Sequence, residues 1–153
     1  MINPKMMMFL VLFSICVGIL IGGYLFSKSQ PRSVLAITRC QNCMSLADLY
    51  GLLASIGVQK FPRWVPYAVF ETDKTVVVRD PYDKTHRFHY LIIPKKDIKN
   101  IGDISEADSE YLLDVFLVAR RIIEEEKLSE YRLLTNGPGY QDVTYLHFHL
   151  LPK

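Results

Sequence analysis

The sequence predicts an α+β domain carried behind one apolar helix. Three observations point there: a charge-free amino-terminal stretch, strand-like segments joined by short polar turns, and a single long helical pattern set between strands. The chain has 153 residues, half of them hydrophobic, which suits one globular domain and is too short for two ordinary ones. Lys and Arg number 18 against 16 Asp and Glu, a net charge of +2 that excludes a strongly electrostatic nucleic-acid binder. Eight Gly and eight Pro exclude collagen-like or low-complexity sequence.

The first element is Met6–Phe26, 21 residues without a charge, interrupted only by Ser14, Gly18, Gly22 and Gly23. About 20 such residues in a helix cross a hydrocarbon core of roughly 30 Å. Lys5 bounds the segment on one side and Lys28 and Arg32 on the other, with Tyr24 at an interface position. A signal peptide is the alternative, since Ser27-Lys28-Ser29 is a loose small-x-small site, but signal apolar regions run roughly 7–15 residues. The longer segment favours an uncleaved single-pass anchor. Lys28, Arg32 and Arg39 outnumber the charges before the helix, so the positive-inside bias leans towards a cytoplasmic carboxyl-terminal domain. Gly18 and Gly22 form a GxxxG, a pattern frequent by chance in such segments.

Residues 27–39 form a polar linker, and residues 40–153 the domain. Ser45–Ile56 is a short helix, capped by Ser45 and stopped by Gly57. Tyr67–Glu71 and Thr75–Arg79 are strands joined across Thr72-Asp73-Lys74 as a hairpin. Phe88–Ile93 is a third strand closed by Pro94. Ser105-Glu106-Ala107-Asp108 opens the longest helix as a capping box, and the helix runs to about Lys127. Its middle, Val115–Ala119, is apolar nearly all round, so it is covered on more than one side. Tyr131–Thr135 and Val143–Leu151 are the last two strands, separated by Asn136-Gly137-Pro138-Gly139.

The final strand carries the chemistry. With a period of two, Tyr145, His147 and His149 share one face, while Leu146, Phe148 and Leu150 form the core face. Two imidazoles and a phenol in a row are not needed by a core. Alone, such a His-x-His on a strand is more often a metal pair or a surface accident than a nucleophile.

The context is more specific. Gly139–Leu151 (GYQDVTYLHFHLL) resembles the signature of the histidine triad (HIT) family, G-Q-x-V-x-H-φ-H-φ-H-φ-φ with φ apolar. Thr85–Lys96 (THRFHYLIIPKK) resembles the family's G-H-T-L-V-I-P-K-K segment, and Val77–Pro81 (VVRDP) its strand ending in Asp. The resemblance covers roughly Val65 to Lys153. It implies a HIT-like fold and a nucleotide-binding enzyme, usually a homodimer, that hydrolyses or transfers nucleotidyl groups. His147 matches the middle histidine, which attacks the α-phosphorus from a tautomer fixed by a backbone carbonyl; His149 matches the third, which donates to phosphate oxygens. Asp80 matches the ribose-binding carboxylate, although a turn aspartate before Pro81 remains open. Asn136, or its neighbour Thr135, matches the phosphate side, together with Gln141, Asp142 and Tyr145. The implied partners are a small nucleotide and a second copy of the chain, with the membrane contacted through the helix and no nucleic-acid polymer.

Three departures bear on activity. Tyr145 replaces the first histidine and cannot carry a proton near pH 7 as imidazole can. Asp142 stands where a hydroxyl is common; its charge suits an amine-bearing leaving group. Cys40-Gln-Asn-Cys43 resembles the pair with which many HIT proteins bind a structural zinc, but the other two ligand positions hold Asp97 and Tyr145, so the set is incomplete. Catalysis in the family requires no metal. The leading expectation is a membrane-anchored hydrolase of a nucleotidyl phosphoramidate, phosphoanhydride or ester. The alternatives are a nucleotide-binding module with little turnover and a hydrolase of a lipid-linked nucleotide such as CDP-diacylglycerol.

Overall fold

A computed structural model describes residues 4–26 and 46–153. The amino-terminal unit is one helix, α1, Pro4–Phe26. Its Met6–Tyr24 stretch has a mean hydropathy of 2.5 and no buried residue, long and apolar enough to cross a membrane. Apolar residues occupy every side of it, and the Ser14 hydroxyl donates to the Leu10 carbonyl at 2.8 Å, so its polar group is satisfied within the helix. The expected 27–39 linker and Cys40 and Cys43 lie outside the described residues.

The second unit is built on a five-stranded antiparallel sheet, as the turn-and-strand pattern requires. Its strands are β1 (Ala68–Glu71), β2 (Thr75–Arg79), β3 (Tyr90–Pro94), β4 (Tyr131–Leu134) and β5 (Phe148–Pro152), in the order β1-β2-β3-β5-β4. Helix α2, Leu46–Lys60, precedes the sheet, and α3, Ser109–Glu125, falls between β3 and β4. The hairpin between β1 and β2 is held by Thr72, whose hydroxyl accepts from the Lys74 and Thr75 amides at 3.1 and 2.9 Å and donates to Asp114 on α3. Helix α2 continues past Gly57 to Lys60, where Pro62 ends it. A lone glycine weakens a helix by only about 1 kcal/mol, whereas proline forbids its continuation.

The capping box forms as expected. The Ser105 amide and hydroxyl both donate to Asp108 at 2.7 Å, one turn of 3-10 helix before α3 proper. Burial works against the Asp108 charge, but Lys96 at 2.6 Å and the Ser105 bonds outweigh it and hold the carboxyl below its usual range. The buried side of α3, Val115, Val118, Ala119 and Ile122, packs on Val77, Ile92, Phe148 and Leu150 of the sheet to make the core. On its other side Leu113, Phe116 and Leu117 are 61, 50 and 48% exposed. The near-continuous apolar middle therefore divides into a core face and an open one.

Helix α3 ends in a Schellman turn. The Leu128 amide donates to Ile123 and the Lys127 amide to Glu124, with Lys127 in the left-handed region at φ 52°. That conformation costs a residue with a Cβ about 1–2 kcal/mol, and glycine gives back about 0.5–1 in unfolded-chain entropy. Lys127→Gly is accordingly expected to stabilise the protein by roughly 0.5–1 kcal/mol, read as an upward shift of the thermal midpoint of the full chain. A downward shift would contradict it.

One expectation about the last strand is corrected. Regular pairing begins at Phe148, not Val143. A tight turn, in which the Tyr145 amide donates to Val143 at 2.8 Å, breaks the alternation, and the Leu146 amide is drawn to the Ile98 carbonyl at 2.7 Å. Tyr145 and Leu146 are both buried as a result. Tyr145 therefore does not share the open face with the histidines. Its hydroxyl donates to the Pro94 carbonyl at 2.8 Å, under the sheet end.

Candidate active site

The end of β5 next to β3 gathers imidazoles from two strands. His147 and His149 stand with ring centroids 4.8 Å apart, nearly perpendicular, closer than the spacing along a regular strand because His147 precedes the first paired residue. The His147 Nδ1 lies 2.7 Å from the Tyr145 carbonyl oxygen. A carbonyl can only accept, so Nδ1 carries the proton and Nε2 keeps its lone pair. That is the nucleophilic tautomer, and the same turn that buries the Tyr145 ring supplies the carbonyl that selects it.

His149 faces a third imidazole. Its Nδ1 is 2.8 Å from Nε2 of His89, which lies just before β3. The placement follows from register: Leu91 pairs with His149, and His89 is two residues back on the same face. His89 is almost covered, and its Nδ1 sits 3.1 Å from one oxygen of Asp80 and 3.1 Å from one of Asp83. Neither contact is an aligned hydrogen bond. Burial pushes His149 down to about 4, helped by the neighbouring His147 and His89 and opposed by Asp80, so it is neutral near pH 7.

Asp83 organises the loop after β2. It accepts from the Thr85 amide and hydroxyl at 2.8 and 2.6 Å and from His86 Nδ1 at 2.8 Å. The Thr85 and His86 bonds hold its carboxyl far below the usual range despite partial burial. Asp80 is the turn aspartate of the second reading made from the sequence. One oxygen accepts from the Tyr82 amide at 2.8 Å as a turn aspartate, while the other faces His89 at 3.1 Å.

Of the remaining expected residues, Asn136 joins the cluster, its side-chain amide 3.4 Å from Nε2 of His149. Gln141 is drawn elsewhere, donating to the Lys99 carbonyl at 3.2 Å, and Asp142 is exposed on the same loop. Tyr145 is withdrawn into the core, as described, so its phenol is not among the groups facing a ligand. Tyr145 and the buried Asp97 occupy the two positions where a zinc site would need ligands beyond Cys40 and Cys43, and the phenol is committed to Pro94. Among the described residues, which do not include Cys40 and Cys43, no group of three or more His, Cys, Asp and Glu side chains is arranged to hold a metal.

His89 and Asp83 are the members that sequence reasoning missed. His89 had a usable signal, because it opens an apolar strand at even spacing from Leu91. Asp83 had none, since a loop carries no period.

Together the carbonyl-fixed imidazole and the paired neutral imidazole behind it place a ring with a free Nε2 beside a second imidazole. Residues 60–152 match the family described as "Scavenger mRNA decapping enzyme C-term binding". The purine nucleoside phosphoramidase of Escherichia coli K12 is 37% identical over 89 residues, 54% of this chain and 72% of that protein. The adenosine 5'-monophosphoramidase HNT1 of Saccharomyces cerevisiae is 39% identical over 67 residues, 42% of this chain but only 40% of the yeast protein's length. Among solved structures, a HIT family hydrolase from Legionella pneumophila Philadelphia 1 superposes with a TM-score of 0.55 at 37% identity, covering 61% of this chain and 88% of that one. A second, from Clostridium thermocellum, gives 0.57 at 28% identity, with 66 and 89% covered. The chain belongs to the histidine triad family.

Proposed function

We propose that the protein hydrolyses nucleotidyl phosphoramidates, or a related anhydride or ester, through a covalent nucleotidyl group on His147. The observation that carries this reading is the 2.7 Å contact between His147 Nδ1 and the Tyr145 carbonyl, which leaves Nε2 as a free nucleophile. The phosphoramidase activities of the bacterial and yeast relatives support the substrate class. In the first step Nε2 of His147 forms a bond to the α-phosphorus, and the bond from phosphorus to the leaving nitrogen or oxygen breaks. The leaving group takes a proton from Nε2 of His149. In the same step His149 accepts a proton at Nδ1 from a protonated His89, whose other nitrogen faces the two carboxylates. Water attacks in the second step and gives its proton to Nε2 of His149, which returns the Nδ1 proton to His89. The nucleoside monophosphate leaves, and His147 is restored. His149 thus alternates between donor and acceptor without becoming a cation, which suits its low pKa.

On this reading Asp80 and Asn136 bind the ribose and phosphate, and exposed Asp142 favours an amine-bearing leaving group. The working form is a homodimer covering the open face of α3 at Leu113, Phe116 and Leu117. Helix α1 is a single-pass anchor with the domain in the cytoplasm. The test is a panel of adenosine phosphoramidates with charged and neutral amines, dinucleoside polyphosphates and CDP-diacylglycerol, given to detergent-solubilised full chain. Fastest release of adenosine monophosphate from the cationic phosphoramidates is expected. Tight binding of nucleotides with neither product nor adduct would replace this reading by that of a binding module.

A further inference from the structure

Helix α2 and the turn after it carry an apolar surface that the nucleotide chemistry does not use. α2 buries Leu52, Ser55 and Val58 but turns Leu46, Tyr50 and Leu53 outward, 72, 56 and 54% exposed. The chain continues through the 3-10 turn Pro62–Trp64, where Phe61 is 46% and Trp64 84% exposed. Between helix and turn lies an open groove of about 610 Å³, walled by Leu53, Val58, Phe61, Trp64 and Val65 with Gly57 in its lining. A Cβ added at Gly57 would meet nothing within 4 Å, so the groove is open there too. Single exposed apolar residues are ordinary; a contiguous patch containing several aromatic rings marks an interaction surface.

Three features select a lipid bilayer as what covers it. Tryptophan and tyrosine are the side chains that settle at the headgroup level, with an apolar body and a polar edge, and Trp64 and Tyr50 are both on this surface. Arg63 flanks the groove, and Glu71, which pairs with it at 3.4 Å, is also held by Lys95 at 2.9 Å. These three charges sum to positive, which suits an anionic surface. Finally, α2 begins at Leu46 and α1 ends at Phe26. A tether of that length spans at most about 70 Å fully stretched, which keeps the groove within reach of any bilayer that α1 crosses.

We propose that this face docks on the surface of the membrane that holds α1, with Trp64 and Phe61 at the boundary of headgroups and acyl chains and Arg63 on anionic headgroups. The proposal rests on the reading of α1 as an anchor. Apolar burial and headgroup charge then act together on a domain already concentrated at the surface, so neither contribution has to be large.

Trp64 is the chain's single tryptophan, so its fluorescence reports this face alone. The full chain is reconstituted in phosphatidylcholine–phosphatidylglycerol vesicles, with iodide on both sides or with lipids brominated high on the acyl chain. Blue-shifted emission, quenching by the bromolipids and protection from iodide are expected. Gly57→Glu should reverse all three, because it puts a negative charge in the groove while exchanging a helix-interior glycine for a stronger helix former with no clash. Carbonate washing of the same vesicles tests the anchor separately. Trp64 open to iodide and untouched by bromolipid in carbonate-resistant protein overturns docking and leaves the anchor standing. The same fluorescence in protein that carbonate extracts overturns both. Protection from iodide without bromolipid quenching also overturns the proposal, since it assigns the face to another protein surface.

Discussion

His147→Ala is expected to remove the covalent nucleotidyl adduct and to lower turnover by on the order of 10⁴-fold or more, the scale seen when a nucleophile is deleted. The reason is geometric. His147 is the imidazole whose Nδ1 proton is committed to a backbone carbonyl, at 2.7 Å from Tyr145, so Nε2 is free to bond to phosphorus. His149 cannot take over the attack, because its Nδ1 faces His89 at 2.8 Å and its Nε2 is needed for the proton. Affinity for a non-hydrolysable nucleotide analogue should change little, since Asp80 and Asn136 are retained. Intact mass measured during turnover detects the adduct in the parent protein and its absence in the variant. An adduct that persists in His147→Ala would move the nucleophile elsewhere and sink the proposed mechanism.

The second large effect concerns the proton path behind His149. His89→Ala is expected to slow substrates with basic leaving groups by about 10²-fold, within the range for a positioned proton donor, and to spare those whose leaving group departs as a stable anion. Asp83→Asn should act in the same direction by about tenfold, because Asp80 still faces His89 at 3.1 Å. The pH dependence has a definite sign. Burial lowers His149 to about 4, so it stays neutral as pH falls from 8 to 5, and its ring nitrogens should not titrate in that window. Below the ordinary histidine value, near 6.5, the unfolded chain takes up the proton that buried His149 refuses. The stability due to this group is therefore present above about 6.5 and declines as pH falls towards 4. Nitrogen NMR of the labelled ring reports both tautomer and charge. A His149 that protonates near 6.5, or equal slowing of good and poor leaving groups in His89→Ala, would remove His89 from the proton path and leave it a packing residue.

The legible parts of this protein are those where a local pattern has one physical outcome. A charge-free run the length of Met6–Phe26 makes an apolar helix; Ser105 and Asp108 at capping-box spacing start α3. The GYQDVTYLHFHLL string brings His147 and His149 to the head of the last strand. Where several outcomes compete, the pattern failed. Period two assigned Tyr145 to the open face, but the amide-to-carbonyl turn from Val143 rotated it inward, and the unpaired Pro94 carbonyl at the sheet end took its hydroxyl. Gly57 looked like a helix stop, yet its weak penalty yielded to the proline downstream.

By itself, then, the sequence determined the family, the strand content, the apolar helix and the histidine pair at the last strand, because each depends on neighbours within about a dozen residues. Only the tertiary structure decided which groups meet. Antiparallel pairing of β3 with β5 sets His89 against His149 across 60 positions, and the loop after β2 folds back to put Asp80 and Asp83 on the far nitrogen. Such contacts are fixed by register and loop closure, and neither leaves a period in the chain.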